Sequence, residues 1–229
     1  MKKLRDNQQR AQNAVIMIWI VLGFEVLSLF SSYLQYSLLQ SISNGSAISD
    51  EALVANDLRE GVAAIFYAIA ALVSGITFIQ WFRRAYYNLH QLIPNLNYTE
   101  GWAAGAWFVP ILNLFRPYQI MKELYGRTQT LLIEKDPEMR KKLSTENLDW
   151  WWFIWIVSGV IGVFLWRLAN EDTIDGQIIS TMGNMILSIL NIPLALITIK
   201  VIKNYSNVEP ELHNIEEDRE NDLILEYRI

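Results

Sequence analysis

Charge is absent from four long stretches of the chain, and those gaps organise everything else. Window 14–38 holds 25 residues with Glu25 as its one charge. Windows 61–82, 150–166 and 178–199 hold 22, 17 and 22 residues with no charge at all. A helix needs about 20 apolar residues to cross a ~30 Å hydrocarbon core. Four such runs exceed what a soluble fold of 229 residues would bury. The pattern predicts an all-α integral membrane bundle of four transmembrane helices. The basic start, Met1-Lys2-Lys3-Leu4-Arg5, resembles a secretory leader, but its apolar stretch is too long and ends in Ser41–Gly45 without a small-residue cleavage pattern. It is read as a retained first span.

Between the second and third windows lies a long connecting region, 83–149. Residues 85–92 continue the second span as a helix that ends before Pro94. Residues 101–115 form a fifth apolar piece of 15 uncharged residues, short for a span, with Pro110 inside it and Arg116-Pro117 directly after. Proline removes a backbone donor, so this piece cannot be one straight rod. Pro117 suits the first turn of a new helix. Tyr118, Met121, Leu124, Tyr125, Thr128, Leu131 and Leu132 then recur at three- and four-residue spacing, giving one apolar face until Asp136-Pro137 ends it.

Charge decides whether 101–115 crosses. If it does not, fifteen Lys and Arg residues flank the membrane on one side, including Arg83, Arg84, Arg116, the Arg140–Lys142 cluster, Lys200 and Lys203. Only Arg59 and Arg167 lie on the other side, among seven carboxylates. Lys and Arg excess marks the cytoplasmic side. The expected arrangement is therefore four spans in the cell (inner) membrane, both termini cytoplasmic, and an interfacial or re-entrant proline-broken segment. Residues 1–203 form the membrane domain. Residues 204–229, rich in carboxylates and without an evident apolar face, are expected to be a disordered cytoplasmic tail, its apolar patch 223–225 included.

Composition narrows the chemistry. Apolar residues make up 52% and charged residues 19%, against about 25% charged in soluble proteins. There is no cysteine, which removes disulfides and thiol chemistry, and two histidines offer no metal cluster. A net charge of −5 argues against a nucleic-acid partner. No phosphate loop, zinc-protease or nucleophile-elbow motif is present, so no cofactor and no catalytic set is expected.

Three constellations remain. Glu25 sits near the middle of its span, where a charge costs at least about 2.5–3.5 kcal/mol. It is either a proton or cation relay or a structural hydrogen-bonding group for Asn184 or Ser188. The fourth span carries Ser180, Asn184, Ser188 and Asn191 on one face. The second span carries Ala64, Ala68, Ala71 and Gly75 at steps of four, three and four, a face suited to close helix packing, self-association or a membrane-protein partner. Trp81, Arg84, Asn88 and Arg116 suit the bilayer surface, where arginines set topology or hold anionic head groups. Trp150, Trp151, Trp152, Trp155 and Trp166 read as interface anchors.

The residues Trp81-x-x-Arg84-x-x-x-Asn88-Leu89, then Gly101-Trp102-x-x-Gly105-x-Trp107-x-x-Pro110-x-x-Asn113-x-x-Arg116-Pro117, then Trp151-Trp152-x-x-Trp155 occur in this order over roughly 60–203. This pattern resembles the bacterial membrane family known as domain of unknown function 4328. The resemblance implies a multi-pass protein with its signature on the non-spanning middle segment, and implies no activity. Asn113 and Arg116 are expected to bond to backbone carbonyls or to the ends of the second and third spans, so that 101–116 folds back on the protein. The expected function is a scaffold or accessory protein that binds another membrane protein or lipid. The alternative is a small transporter or channel using Glu25 and the polar face of the fourth span.

Overall fold

The computed structural model describes residues 3–138, 143–168 and 173–226. It is helical throughout, with no strand among the described residues. The elements are α1 (Gln8–Ser43), α2 (Asp50–Leu92), α3 (Trp102–Gly105), two 3-10 turns (Ala106–Phe108 and Leu112–Leu114), α4 (Arg116–Lys135), α5 (Glu146–Leu168) and α6 (Ile174–Glu226). Four of them, α1, α2, α5 and α6, are long and apolar enough to cross a membrane. The Arg140–Lys142 cluster, Glu171 and Asp172 lie outside the described residues, as do the side chains of Trp166 and of 223–225.

The chain divides into two compact units. The first comprises Met1–Val15, Gly75–Trp150 and Ile199–Ile229; the second comprises Ile16–Ser74 and Trp151–Thr198. They are packed on opposite principles. All the largest fully buried side chains belong to the first unit, among them Trp81, Phe82, Tyr86, Leu124, Tyr125 and Tyr205. That is a hydrophobic interior covered by protein on all sides. The second unit turns its bulky residues outward: Leu27, Phe30, Ile65, Leu72, Val160 and Ile189 are exposed. Lipid tails are as apolar as leucine, so nothing drives those side chains inward, and close packing with polar contacts holds the helices instead.

In the second unit α1 ends on Gly45, whose φ of +80° suits only glycine. Its amide bonds to the Ile42 carbonyl at 2.9 Å and that of Ser46 to Ser41 at 3.0 Å, closing the orphan carbonyls. On α6, a Cβ at Gly183 would collide with Leu165 of α5, so the missing side chain lets the two helices approach. A Cβ at Gly162 would just touch Leu187, and Ser158 is buried, in keeping with the small face read on the third span.

In the first unit α4 forms as the sequence predicts, with Pro117 in its first turn and Asp136 as its C-terminal cap. Its buried face is Pro117, Ile120, Met121, Leu124, Tyr125, Thr128, Leu131 and Leu132. Ile120 takes the buried position that the spacing gave to Tyr118. This face packs on protein, since the Tyr125 hydroxyl donates to the Val201 carbonyl at 2.5 Å and Thr128 lies 3.3 Å from the Tyr205 hydroxyl.

Two expectations are corrected. The tail is not disordered over its described residues: α6 runs on to Glu226, and Tyr205, Val208, Leu212 and Ile215 are buried. They recur at steps of three, four and three, a helical face whose regularity is hidden by the carboxylates around it. The tryptophans divide as well. Trp150 is exposed, as an interface anchor should be, but Trp151 and Trp152 are buried. Trp151 donates to the Thr198 hydroxyl at 3.0 Å, because an indole N–H sealed in protein needs an acceptor.

Candidate functional site

Polar groups gather at separate places in the two units. In the second unit Glu25, on α1, is buried and ringed by donors from two other helices. The Tyr67 hydroxyl of α2 donates to Oε1 at 3.2 Å, Asn191 Nδ2 of α6 to Oε1 at 2.5 Å, and the Ser188 hydroxyl to Oε2 at 3.4 Å. Of the sequence candidates, Ser188 and Asn191 reach Glu25. Asn184 does not; it is exposed, two turns before Asn191. Tyr67 was not singled out, although a mid-span tyrosine, able to donate one hydrogen bond, was the available signal. The cluster joins three helices through one carboxyl group.

A second polar group in this unit involves Arg59. It donates to Ser31 Oγ at 2.9 Å, to the Ser31 carbonyl at 3.2 Å and to Asn56 Oδ1 at 2.7 Å, and pairs with Glu60 at 3.3 Å. Ser31 in turn donates to Glu60.

The first unit is organised by Asn88, the asparagine of the Trp81–Asn88 signature. Its side chain is fully buried and clasps the backbone of Arg5 from both sides: Arg5 N–H donates to Oδ1 at 3.0 Å, and Nδ2 donates to the Arg5 carbonyl at 2.8 Å. The same Nδ2 donates to Glu209 Oε1 at 2.9 Å. Asn7 approaches Glu209 from the other side, with Nδ2 at 3.2 and 3.0 Å from the two carboxylate oxygens and 3.3 Å from the Trp81 carbonyl. Burial pushes the Glu209 carboxyl up to about 7, against the downward pull of the Asn88 and Asn7 hydrogen bonds. Two turns further along α6, Glu216 accepts from the Leu4 amide at 2.9 Å. Two carboxylates of the supposed tail thus bind the N-terminal segment. Neither Asn7 nor Glu209 stood out in the sequence, because both lie in polar stretches with no local motif.

The middle segment is broken as its prolines require. α3 and the two 3-10 turns replace a straight rod, with Ala103 and Ala106 buried and Trp107 edge-on to Phe78 at 5.6 Å. Trp102, Phe108, Pro110 and Ile111 are exposed. The segment therefore folds back on the first unit along its alanine side and leaves an apolar row outside. The Arg116 guanidinium lies 4.5 Å over the Tyr98 ring rather than on a span end, and Asn113 Oδ1 is buried without a hydrogen-bond partner. Trp81 is fully buried, so this tryptophan is part of the core and not a surface anchor.

Among the described residues, no three His, Asp or Glu side chains gather to hold a metal ion. What the arrangement does chemically is hold helices: two buried carboxyl groups each collect donors from elements distant in sequence. Comparison with curated proteins and with solved structures returns no match. The family model described as "Domain of unknown function (DUF4328)" matches residues 44–207, and the chain, with four helices long and apolar enough to cross a membrane, belongs to that family.

Proposed function

We propose that the protein is a multi-pass scaffold or accessory protein of the cell membrane, with both termini cytoplasmic, that acts by holding another membrane protein or a second copy of itself against α2. One observation carries this reading. The small-residue stripe of α2 is left uncovered by the rest of the chain: Ala64, Ala68 and Gly75 are exposed and Ala71 is half-buried. A Cβ at Gly75 would meet nothing within 4 Å. Small side chains facing lipid forgo van der Waals contact, whereas another helix laid in the stripe recovers it. The orientation rests on the one-sided Lys and Arg distribution.

The transporter reading gains less support. Glu25 is engaged by Tyr67, Ser188 and Asn191, as a brace between helices would be, and no other predicted span carries a charge to continue a relay. The test is native mass spectrometry of the full chain, extracted from its membranes in mild detergent. A defined complex for the wild type, lost in an Ala64→Leu/Ala68→Leu variant, is expected. A monomer in both would sink the scaffold reading.

A further inference from the structure

Four arginines from two distant parts of the chain converge on one concavity of the first unit. Arg5 and Arg10 come from the N-terminal segment and the start of α1, and Arg83 and Arg84 from α2. With Tyr87 and Glu100 they line a cavity of about 360 Å³, within the size range of small-ligand sites. The arrangement is preorganised. Arg5 is fixed by the double hydrogen bond of its backbone to buried Asn88. Its guanidinium lies 4.7 Å from the centre of the Tyr87 ring, and that of Arg84 lies 5.8 Å from the same ring. Arg10 Nη1 reaches the Gln80 carbonyl at 3.3 Å.

The counter-charge is short. Glu100 pairs with Arg83 at 2.9 Å, and among the described residues no carboxylate lies within ion-pair distance of Arg5, Arg10 or Arg84. Burial, then repulsion from Arg10 and Arg5, holds the Arg84 guanidinium below its usual range. A chain of net charge −5 has carboxylates to spare, yet this corner is left cationic. Contact with an aromatic face leaves guanidinium N–H donors for another acceptor.

We infer that this concavity binds a phosphate group, carried either by the head of an anionic membrane lipid or by a soluble phosphate. Arginine is the side chain suited to it, because its planar fork grips phosphate oxygens in pairs. An anion here cancels the repulsion among Arg5, Arg10 and Arg84. Glu100, already seated on Arg83, offers an acceptor to hydroxyls of a head group such as glycerol. The inference uses none of the residues of the α2 stripe and stands or falls apart from the scaffold reading.

The experiment is thermal unfolding of the full chain in neutral detergent, titrated separately with short-chain phosphatidylglycerol and with inorganic phosphate. Phosphatidylglycerol should raise the midpoint saturably. A rise with inorganic phosphate at similar concentration assigns the site to soluble phosphate, and a rise with the lipid alone assigns it to a head group. Arg5→Gln/Arg84→Gln should bind about tenfold more weakly or worse, the scale of losing charge-assisted hydrogen bonds. Should the double variant unfold early, Arg10→Gln carries the same loss of binding, while Arg127→Gln, outside the cavity, should bind as wild type. No midpoint shift with either probe, or wild-type affinity in the arginine variants, overturns the site.

Discussion

The side-chain amide of Asn88 donates to the carboxylate of Glu209 across 2.9 Å, in an interior that leaves the two residues 0% and 5% exposed. They are 121 positions apart in the chain. Among the described residues its hydrogen-bond partners are the side-chain amides of Asn88 and Asn7, with Arg84 acting on it only through space. Glu209 lies ten residues beyond the predicted span 178–199, within the first unit. Burial raises its carboxyl to about 7 from an ordinary value of 4.5. The folded state then holds this proton more tightly than the unfolded one. Stability is full below about 4.5, falls as pH rises through about 7, and is flat above. Thermal unfolding of the purified chain should give a lower midpoint at pH 8 than at pH 5, and Glu209→Gln should flatten that slope. Parallel slopes for both proteins would assign the pH dependence elsewhere.

Asn88 supplies more than this one bond, and its loss should be costlier. Asn88→Leu removes both clasps on the Arg5 backbone and one donor to Glu209. Buried groups left without partners cost about 1–3 kcal/mol each, so a loss of about 2–4 kcal/mol is expected in denaturant unfolding. The N-terminal segment should also be released, which limited trypsin digestion at Arg5 would report as faster cleavage. Unchanged protection at Arg5 would show that the segment is held by other contacts.

How far these features were legible follows from what each rests on. The four long helices were readable because a charge in lipid is costly and so nearly absent over about 20 residues, and that signal is local. The end of the second span was read one step too simply. Trp81 and Phe82 continue its apolar run but are buried in the first unit, because a hydrophobic run does not say whether lipid or protein covers it. The tail was misread for the opposite reason. Its apolar face, Tyr205, Val208, Leu212 and Ile215, is interleaved with Glu209 and Glu216, which count as solvent-seeking until Asn7, Asn88 and the Leu4 amide are seen around them. Those partners come from the other end of the chain, so no window of sequence contains them. For Glu25, depth in the span announced a partner, but only the height of α6 alongside α1 picks Asn191 over Asn184, since the two share a face two turns apart.

The Glu25 cluster yields a paired prediction. Every hydrogen bond reaching Glu25 comes from a donor, and two converge on Oε1. In Glu25→Gln the carbonyl can keep that position, and the new amide then meets only Ser188, whose hydroxyl accepts as readily as it donates. The midpoint in detergent should barely move. Glu25→Leu strands Tyr67 and Asn191 and should cost about 1–2 kcal/mol, in line with modest interhelical hydrogen bonds in membranes. Equal damage from both would show an ionised, charge-dependent glutamate and revive the relay reading.

Topology can be checked directly. Reporter fusions after Asn44 should read periplasmic, and fusions after Arg127 and Glu209 cytoplasmic, because fifteen of the membrane-flanking Lys and Arg residues then stay inside. A periplasmic signal after Arg127 would make 101–115 a crossing segment and invert the assignment of everything that follows it.

The middle segment holds a buried polar atom that the sequence does not announce. Asn113, read as a group that satisfies broken backbone, has its side-chain oxygen buried without a hydrogen-bond partner. The local backbone is held without that oxygen, since the Asn113 amide donates to the Val109 carbonyl at 2.8 Å and the Phe115 amide to Leu112 at 3.2 Å. Leucine shares the branched, four-heavy-atom shape of asparagine, so Asn113→Leu removes a desolvated polar atom and leaves no void. The thermal midpoint in detergent should hold or rise. Arg116 behaves oppositely: its guanidinium covers the Tyr98 ring, and Arg116→Ala gives up both the cation–π contact and the packing of its stem. A loss of about 0.5–2 kcal/mol is expected. A fall in midpoint for Asn113→Leu as large as that for Arg116→Ala would mean that the asparagine side-chain N–H donates to a carbonyl the folded chain needs satisfied, and would restore the backbone-satisfying role read from the sequence.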